Sequence, residues 1–289
     1  MVLYIFCCII PCYILYVNGL DKNYTEMYYG ILHFLLGAVL KRRIDMNKSD
    51  LAEGLRKLGL AGGMSVEVHS SLSSFGQVDG GADAVIDALQ ECVGGDGSIF
   101  MPALRLSPEL ELTQQDKQLG ISVKIKILPE NRERTAMGVI ADTFRMRPDV
   151  VTGSGVMQVS GWGKQAQQAA VGGFDYVLKN GGKGLLLGVD IYKLTAMHYV
   201  EYLIPEDIRA LTAPTDEVNS VYPPDEWFIE VGRLPVLGWY EIQEKALEKG
   251  VIQRSVLGKC PVMFFDLYGV VGLYEQALRN DPYRLFGLR

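Results

Sequence analysis

The sequence predicts an α/β fold, and three observations carry the prediction. Residues 64–102 read as strand, loop, helix and strand in succession. Residues 184–189 form a continuous apolar run, and helical and strand patterns keep alternating to the end of the chain. A strand–helix–strand unit implies parallel pairing through a right-handed crossover. An unbroken apolar strand is expected at the centre of a sheet that is covered on both faces.

The elements follow in order. Lys48-Ser49-Asp50-Leu51 carries a start signal for a helix whose apolar stripe is Leu51, Leu55 and Leu58, stopped at Gly59. Met64 to His69 alternates apolar and polar residues, the period of a strand. The small-residue loop Ser70-Ser71-Leu72-Ser73-Ser74-Phe75-Gly76 comes next. Gly80-Gly81 then opens a helix with Val85, Ile86, Leu89 and Val93 on one side. Ser98-Ile99-Phe100-Met101 reads as a buried strand ending at Pro102, and residues 104–134, polar and weakly periodic, as a long loop or lid. Met137 to Arg145 is a helix closed by Pro148, Gly184 to Val189 a central strand, and residues 195–204 a helix stopped by Pro205. Late strands at Trp227–Val231 and Val262–Leu267, with helices at 239–249 and 271–279, complete one α/β domain without repeat or linker.

The first forty-five residues differ in kind. Residues 1–20 carry no charge, and a second apolar run, 27–40, ends at Lys41-Arg42-Arg43. A secretory signal fits poorly, because no positive charge precedes the apolar run. A membrane anchor is one reading, although Pro11 interrupts a segment only about 20 residues long. The other is a mis-assigned start. Lys41 to Met46 can be encoded as a purine-rich AGG-AGG, two further codons and ATG, which is the spacing of a bacterial ribosome-binding site. The expected organisation is thus an apolar extension over 1–45 and a catalytic domain over 46–289. A membrane contact is expected only if the extension is real.

Composition narrows the partners. The 289 residues hold 28 Lys and Arg against 34 Asp and Glu, a formal charge of -6, with 48% hydrophobic residues. That is a folded globular balance. An acidic chain without a long basic run does not suit nucleic acid, whose binding rests on neutralising phosphates; it suits a small cationic molecule. Beyond residue 45 only Cys92 and Cys260 remain, too few for a disulfide framework, so a cytoplasmic protein is expected.

Two histidines remain for chemistry, His69 and His198. Thr195, His198 and Glu201 are spaced i, i+3 and i+6, on roughly one side of a helix that follows a central strand. In open α/β sheets ligands bind beyond the carboxyl ends of strands. A carboxylate one turn from an imidazole can fix its tautomer and make it a general base; a partly exposed structural histidine is the plainer reading of the same spacing. A metal held by His198, Glu201, Asp190 and His69 is disfavoured, since neither H-E-x-x-H nor a Cys pair is present. The serine-rich loop lacks the G-x-S-x-G of a nucleophile elbow. Its hydroxyls either satisfy the turn's own backbone or, beside the next helix, receive an anionic or carbonyl group. No dinucleotide or P-loop motif occurs.

Several segments, in order, resemble the aminoglycoside 3-N-acetyltransferase family: Val68 to Gly76, Gly80-Gly81-Ala82, Gly97 to Pro102, Phe144-Arg145, Gly161-Trp162-Gly163, and Gly184 to Asp190 followed by Thr195, His198 and Glu201. The resemblance implies a three-layer α/β/α fold with a central, largely parallel or mixed sheet, distinct from the common GNAT acetyltransferase fold. It implies acetyl-CoA as co-substrate, no metal, a cationic amine as acceptor and a homodimer as one possible assembly. By the same resemblance His69, Ser70, Ser71, Leu72 and Ser73 lie along the cofactor. His198 is the general base of a direct transfer, Glu201 or Asp190 orients it, and Thr195 sits near the thioester carbonyl. Glu109, Glu111, Asp116 and Glu206 are candidate carboxylates for the polycation. Two departures fall on the acceptor side. Ser154 to Gln158 replaces a His-Pro pair common in the family, and Leu194 replaces an Asn. An unrelated amine, or a silent CoA-binding protein, is the alternative.

Overall fold

The structure, a computed structural model, describes residues 46–289; the expectations for residues 1–45 lie outside the described residues. The elements run α1 (Lys48–Leu58), β1 (Ser65–Ser70), α2 (Gly81–Val93), β2 (Ser98–Pro102), α3 (Gln114–Gln118), β3 (Ile121–Lys126), α4 (Val139–Arg145), β4 (Val151–Thr152), β5 (Val159–Gly163), α5 (Ala166–Lys179) and β6 (Lys183–Leu187). A 3-10 helix (Thr195–Leu203), α6 (Glu206–Arg209), α7 (Asp216–Val221), β7 (Trp227–Val231), α8 (Gly238–Glu248), β8 (Ile252–Leu257), β9 (Cys260–Asp266), α9 (Leu267–Asn280) and α10 (Pro282–Leu285) follow. The start of α1 is capped by Asn47, immediately ahead of the expected signal. Its Oδ1 accepts from Asp50 N at 3.0 Å while Asp50 Oδ2 accepts from Asn47 N at 3.2 Å.

Among the described residues, seven strands form one sheet in the order β4-β5-β2-β1-β6-β9-β8. Within it β1–β2 and β1–β6 pair in parallel; the pairs on either flank are antiparallel, so of the two expected arrangements the sheet is the mixed one. Strand alternation sends successive side chains to opposite faces, and the two hydrophobic cores show it. Val66, Val68, Ile99, Met101, Leu185, Leu187, Val262 and Phe264 pack under α1, α2 and α4. Phe100, Leu186, Met263 and Phe265 pack on the other face under α5, the 3-10 helix, α8 and α9. These are the three layers, helix, sheet, helix. At the strand centre this alternation puts Glu67 and His69, fully and nearly fully buried, on the second face.

The loop or lid expected over 104–134 contains structure. Ile121-Ser122-Val123-Lys124-Ile125-Lys126 alternates as a strand should and pairs antiparallel with β7, with Lys124 opposite Ile229. Together with α3 and α7 this two-stranded sheet closes a small third core of Ile121, Val218 and Ile229. Beside it Lys124 Nζ donates to Asp116 Oδ2 and to the Tyr222 hydroxyl, both at 2.9 Å, and the Tyr222 hydroxyl donates to Asp116 Oδ1. Despite burial, these donors hold the Asp116 carboxyl well below the usual carboxylate range.

Candidate active site

The site is built where the parallel strands β1 and β6 end side by side, with Ser70 in register with Leu187. The chain leaves β1 through Ser71 and a short 3-10 turn, Leu72–Phe75, whose Phe75 is buried in the first core. Three bonds lay this loop against the end of β6 or fold it on itself. Ser71 N donates to Leu187 O at 2.8 Å, Ser74 Oγ donates to Gly188 O at 3.0 Å, and the Ser71 and Ser73 hydroxyls lie 3.0 Å apart. Close approach requires the glycine. Gly188 has φ +72°, and a Cβ there would lie 2.2 Å from Ser74 Cβ. Of the expected donor-site residues, Ser70, Ser71 and Leu72 are half-buried and Ser73 is exposed. The His69 ring instead lies in the core, 6% exposed, 5.8 Å from the Phe174 ring.

The helix expected over 195–204 is a 3-10 helix ending at Leu203. With three residues per turn, positions 195, 198 and 201 fall in one row instead of drifting round the axis. Met197 and Val200 are buried in the second core, whereas the side chain of His198 is 61% exposed. His198 Nδ1 lies 2.6 Å from Glu201 Oε2, and the Tyr274 hydroxyl donates to Glu201 Oε1 at 3.2 Å. A carboxylate can only accept, so in the neutral imidazole it is Nδ1 that carries the proton and Nε2 that keeps the lone pair. The Trp239 ring meets the imidazole edge-on at 4.8 Å. Burial, with the nearby Glu201 carboxylate, pushes the Tyr274 phenol far above its usual range, so it remains a donor.

Asp190 does not share this role. Its Oδ1 accepts from Tyr192 N at 3.0 Å, capping a short 3-10 turn, and its Oδ2 accepts from the Tyr240 hydroxyl at 3.2 Å. Of the two candidate orienting groups, Glu201 holds the imidazole. The Thr195 amide lies 3.4 Å from His69 Nε2, at the foot of the row.

Around the row the charges are negative. Burial raises the Glu230 carboxyl above its usual range; the carboxylates of Glu109 and Glu201 add to this and His198 opposes it. Burial together with Glu230, Glu109 and Asp190 likewise raises the Tyr192 phenol, although Arg233 opposes it. The other candidate carboxylates are less available: Asp116 is tied to Lys124, and Glu206 is bonded to Arg209 at 2.6 Å. Glu111 is exposed. Among the described residues no three His, Cys, Asp or Glu side chains converge as the ligands of a metal would.

Comparisons with known proteins give the family and the fold. The family model for aminoglycoside 3-N-acetyltransferase matches residues 68–279. The chain belongs to that family. An aminoglycoside N(3')-acetyltransferase-like protein of the SPbeta prophage in Bacillus subtilis (strain 168) is 34% identical over 186 residues, 55% of this chain and 65% of that protein. The aminoglycoside N(3)-acetyltransferase III of a Salmonella species is 29% identical over 171 residues, 52% of this chain and 58% of its own. The matched segment thus spans somewhat under two thirds of each of these family relatives. The aminoglycoside acetyltransferase AAC(3)-IVa apoenzyme shares the fold with a TM-score of 0.61 at 19% identity, over 85% of this chain and 93% of its own.

Sequence reasoning found the Thr195, His198 and Glu201 row because it is local. Glu67, Glu230, Trp239 and Tyr274 were missed, since each reaches the site from a distant segment. Only Glu67 left a trace, as the one charged residue in the strand Ser65–Ser70.

Proposed function

We propose that this chain is an acetyl-CoA-dependent N-acetyltransferase of its family. In this reading it transfers an acetyl group to the 3-amino group of an aminoglycoside or a similar polycationic amine. The observation that carries the proposal is the exposed His198 imidazole, its Nδ1 tied to Glu201 at 2.6 Å, on a helix whose first amides face β1, the strand that runs into the serine loop. Two proteins of this fold give the reading its ligands: one is known in complex with a gentamicin and another as a binary complex with CoASH.

The residues fit the donor. The exposed Ser73 and half-buried Ser70 and Ser71 would offer hydroxyls to the amide-rich arm of CoA. Bound there, acetyl-CoA supplies an acyl group activated by its sulfur. His198 Nε2 takes the proton from the substrate nitrogen as that nitrogen bonds to the acetyl carbon. The carbon–sulfur bond breaks, and the imidazolium, stabilised by Glu201, returns its proton to the departing thiolate. In this reading Thr195 would sit near the thioester carbonyl. Among the described residues a cysteine acyl carrier is not favoured: Cys92 and Cys260 are both buried, and burial pushes the Cys260 thiol up to about 12. Glu109 and Glu230 draw in the polycation. Acetyl-CoA as donor suits an activity in the cytoplasm, and no helix among the described residues is long and apolar enough to cross a membrane.

The test is CoA thiol release by the full chain with acetyl-CoA and a panel of aminoglycosides. Turnover is expected, and His198→Ala should lower kcat by about 10²–10⁴-fold with acetyl-CoA binding retained. Unchanged turnover in that variant would sink the base. Acetyl-CoA binding with no turnover on any aminoglycoside would move the acceptor to an unrelated amine or leave a silent CoA-binding protein.

A further inference from the structure

We propose that Glu67 and His69 form a positioning pair that fixes the 3-10 helix carrying His198 relative to the strand that ends in the serine loop. The inference rests on reading His198 as the base, but its structural half can be tested separately. Glu67 is 0% exposed and His69 6% exposed, at the centre of the sheet. A buried carboxylate is costly unless paired, and a leucine would fill the place without that cost. The two bonds that Glu67 makes show what the carboxylate does there.

Its Oε1 accepts from His69 Nε2 at 2.7 Å and from the Ala196 amide at 3.2 Å. The first amides of a helix have no partner within it, and a capping side chain normally serves them. Here the N-cap residue is Leu194, which makes no side-chain capping bond. The amide of Met197 is satisfied by Leu194 O at 3.2 Å, but those of Thr195 and Ala196 look outward to β1. Glu67 therefore caps this helix from a neighbouring strand. His69 cannot do so itself, because an Nε2 that donates to Glu67 is not an acceptor for Thr195. Its contribution is to hold the carboxylate.

The consequence is a chain of short connections. Ala196 precedes His198 by two residues, and His69 is followed at once by Ser70. One carboxylate links the backbone that would seat the donor to the backbone that presents the base. At the far end Tyr274 holds Glu201, so the helix is pinned at its start and at its seventh residue. Glu67 Oε2 has no partner among the described residues. The arrangement is thus kept at a cost in stability, as expected of a group that serves placement more than folding.

Glu67 touches no substrate, so its test combines kinetics with a readout of position. In Glu67→Leu, amide exchange of the segment 194–200 is expected to quicken at least about tenfold. A misplaced base should lower kcat about 100-fold, with KM for acetyl-CoA unchanged within about twofold. Glu67→Gln keeps an acceptor for Ala196 and should retain slow exchange and at least about a third of kcat. If Glu67→Leu folds poorly, the double variant E67L/H69F removes both buried polar groups together and should give the same kcat loss in a stable protein. Wild-type kcat in Glu67→Leu, a kcat loss without faster exchange, or Glu67→Gln as impaired as Glu67→Leu would each overturn the proposal. If the native chain turns over no amine at all, the functional reading has failed, and the exchange comparison still decides whether Glu67 is the cap.

Discussion

At the scale of single residues, the proposed reaction separates proton transfer from charge attraction. Glu201 is committed to the His198 imidazole, whereas Glu230 makes no ion pair among the described residues and sits where burial and other carboxylates raise its pKa. A substrate ammonium beside this carboxyl favours its charged form, so binding and ionisation reinforce each other. Glu230→Gln should therefore raise KM for a polycationic amine about tenfold, the worth of one charge-assisted contact. KM for acetyl-CoA should stay unchanged, and steady-state kinetics at two salt concentrations would check it. A rise in both constants would place Glu230 outside the acceptor site. The local row Thr195, His198 and Glu201 was legible in the sequence because one helix carries it. Its partners were not, since Trp239 and Tyr274 come from α8 and α9 and nothing in their own neighbourhoods marks them.

At the scale of elements, legibility followed burial. The strands packed on both faces, β1, β2, β6 and β9, read clearly as apolar runs or alternations. The edge strand β8 did not, because only its first and last residues are buried. Helix α5 was hidden by Gly172-Gly173, and Gly173 indeed breaks the helical backbone, at φ +63° and ψ -160°. The break leaves room for the Tyr199 hydroxyl, 2.6 Å from where a Cβ would stand. The helix over 195–204 was placed correctly but given the wrong pitch, since i, i+3 and i+6 share roughly one side of either helix and no other position marks the repeat. Element junctions matter to the site as well. Gly188→Ala must strain a left-handed backbone and displace Ser74, so it should cost about 2 kcal/mol. Thermal unfolding would register this as a fall of several degrees, accompanied by weaker acetyl-CoA binding; a neutral substitution would show that the loop does not lean on β6.

At the scale of the molecule, the small two-stranded sheet adds an acid-sensitive element to the fold. Because the Asp116 carboxyl is depressed in the folded state, its stabilisation is complete above the unfolded value of about 3.9 and is lost as pH falls through the folded one. Asp116→Asn leaves Lys124 buried without its carboxylate and should destabilise by about 3 kcal/mol at neutral pH. It should also flatten the acid limb of stability between about pH 4 and 2; an unaltered acid limb would assign that limb to other carboxylates. The two larger cores have a different consequence. Leu72 and Phe75 of the serine loop pack into one, while Leu194, Ala196, Met197 and Val200 around the base pack into the other. In the proposed reaction, donor grip and acceptor choice would thus answer to different sets of apolar side chains across the sheet. With Glu67 as the bridge between them, substitutions in the second core would retune which amine is accepted while the handling of acetyl-CoA is inherited unchanged.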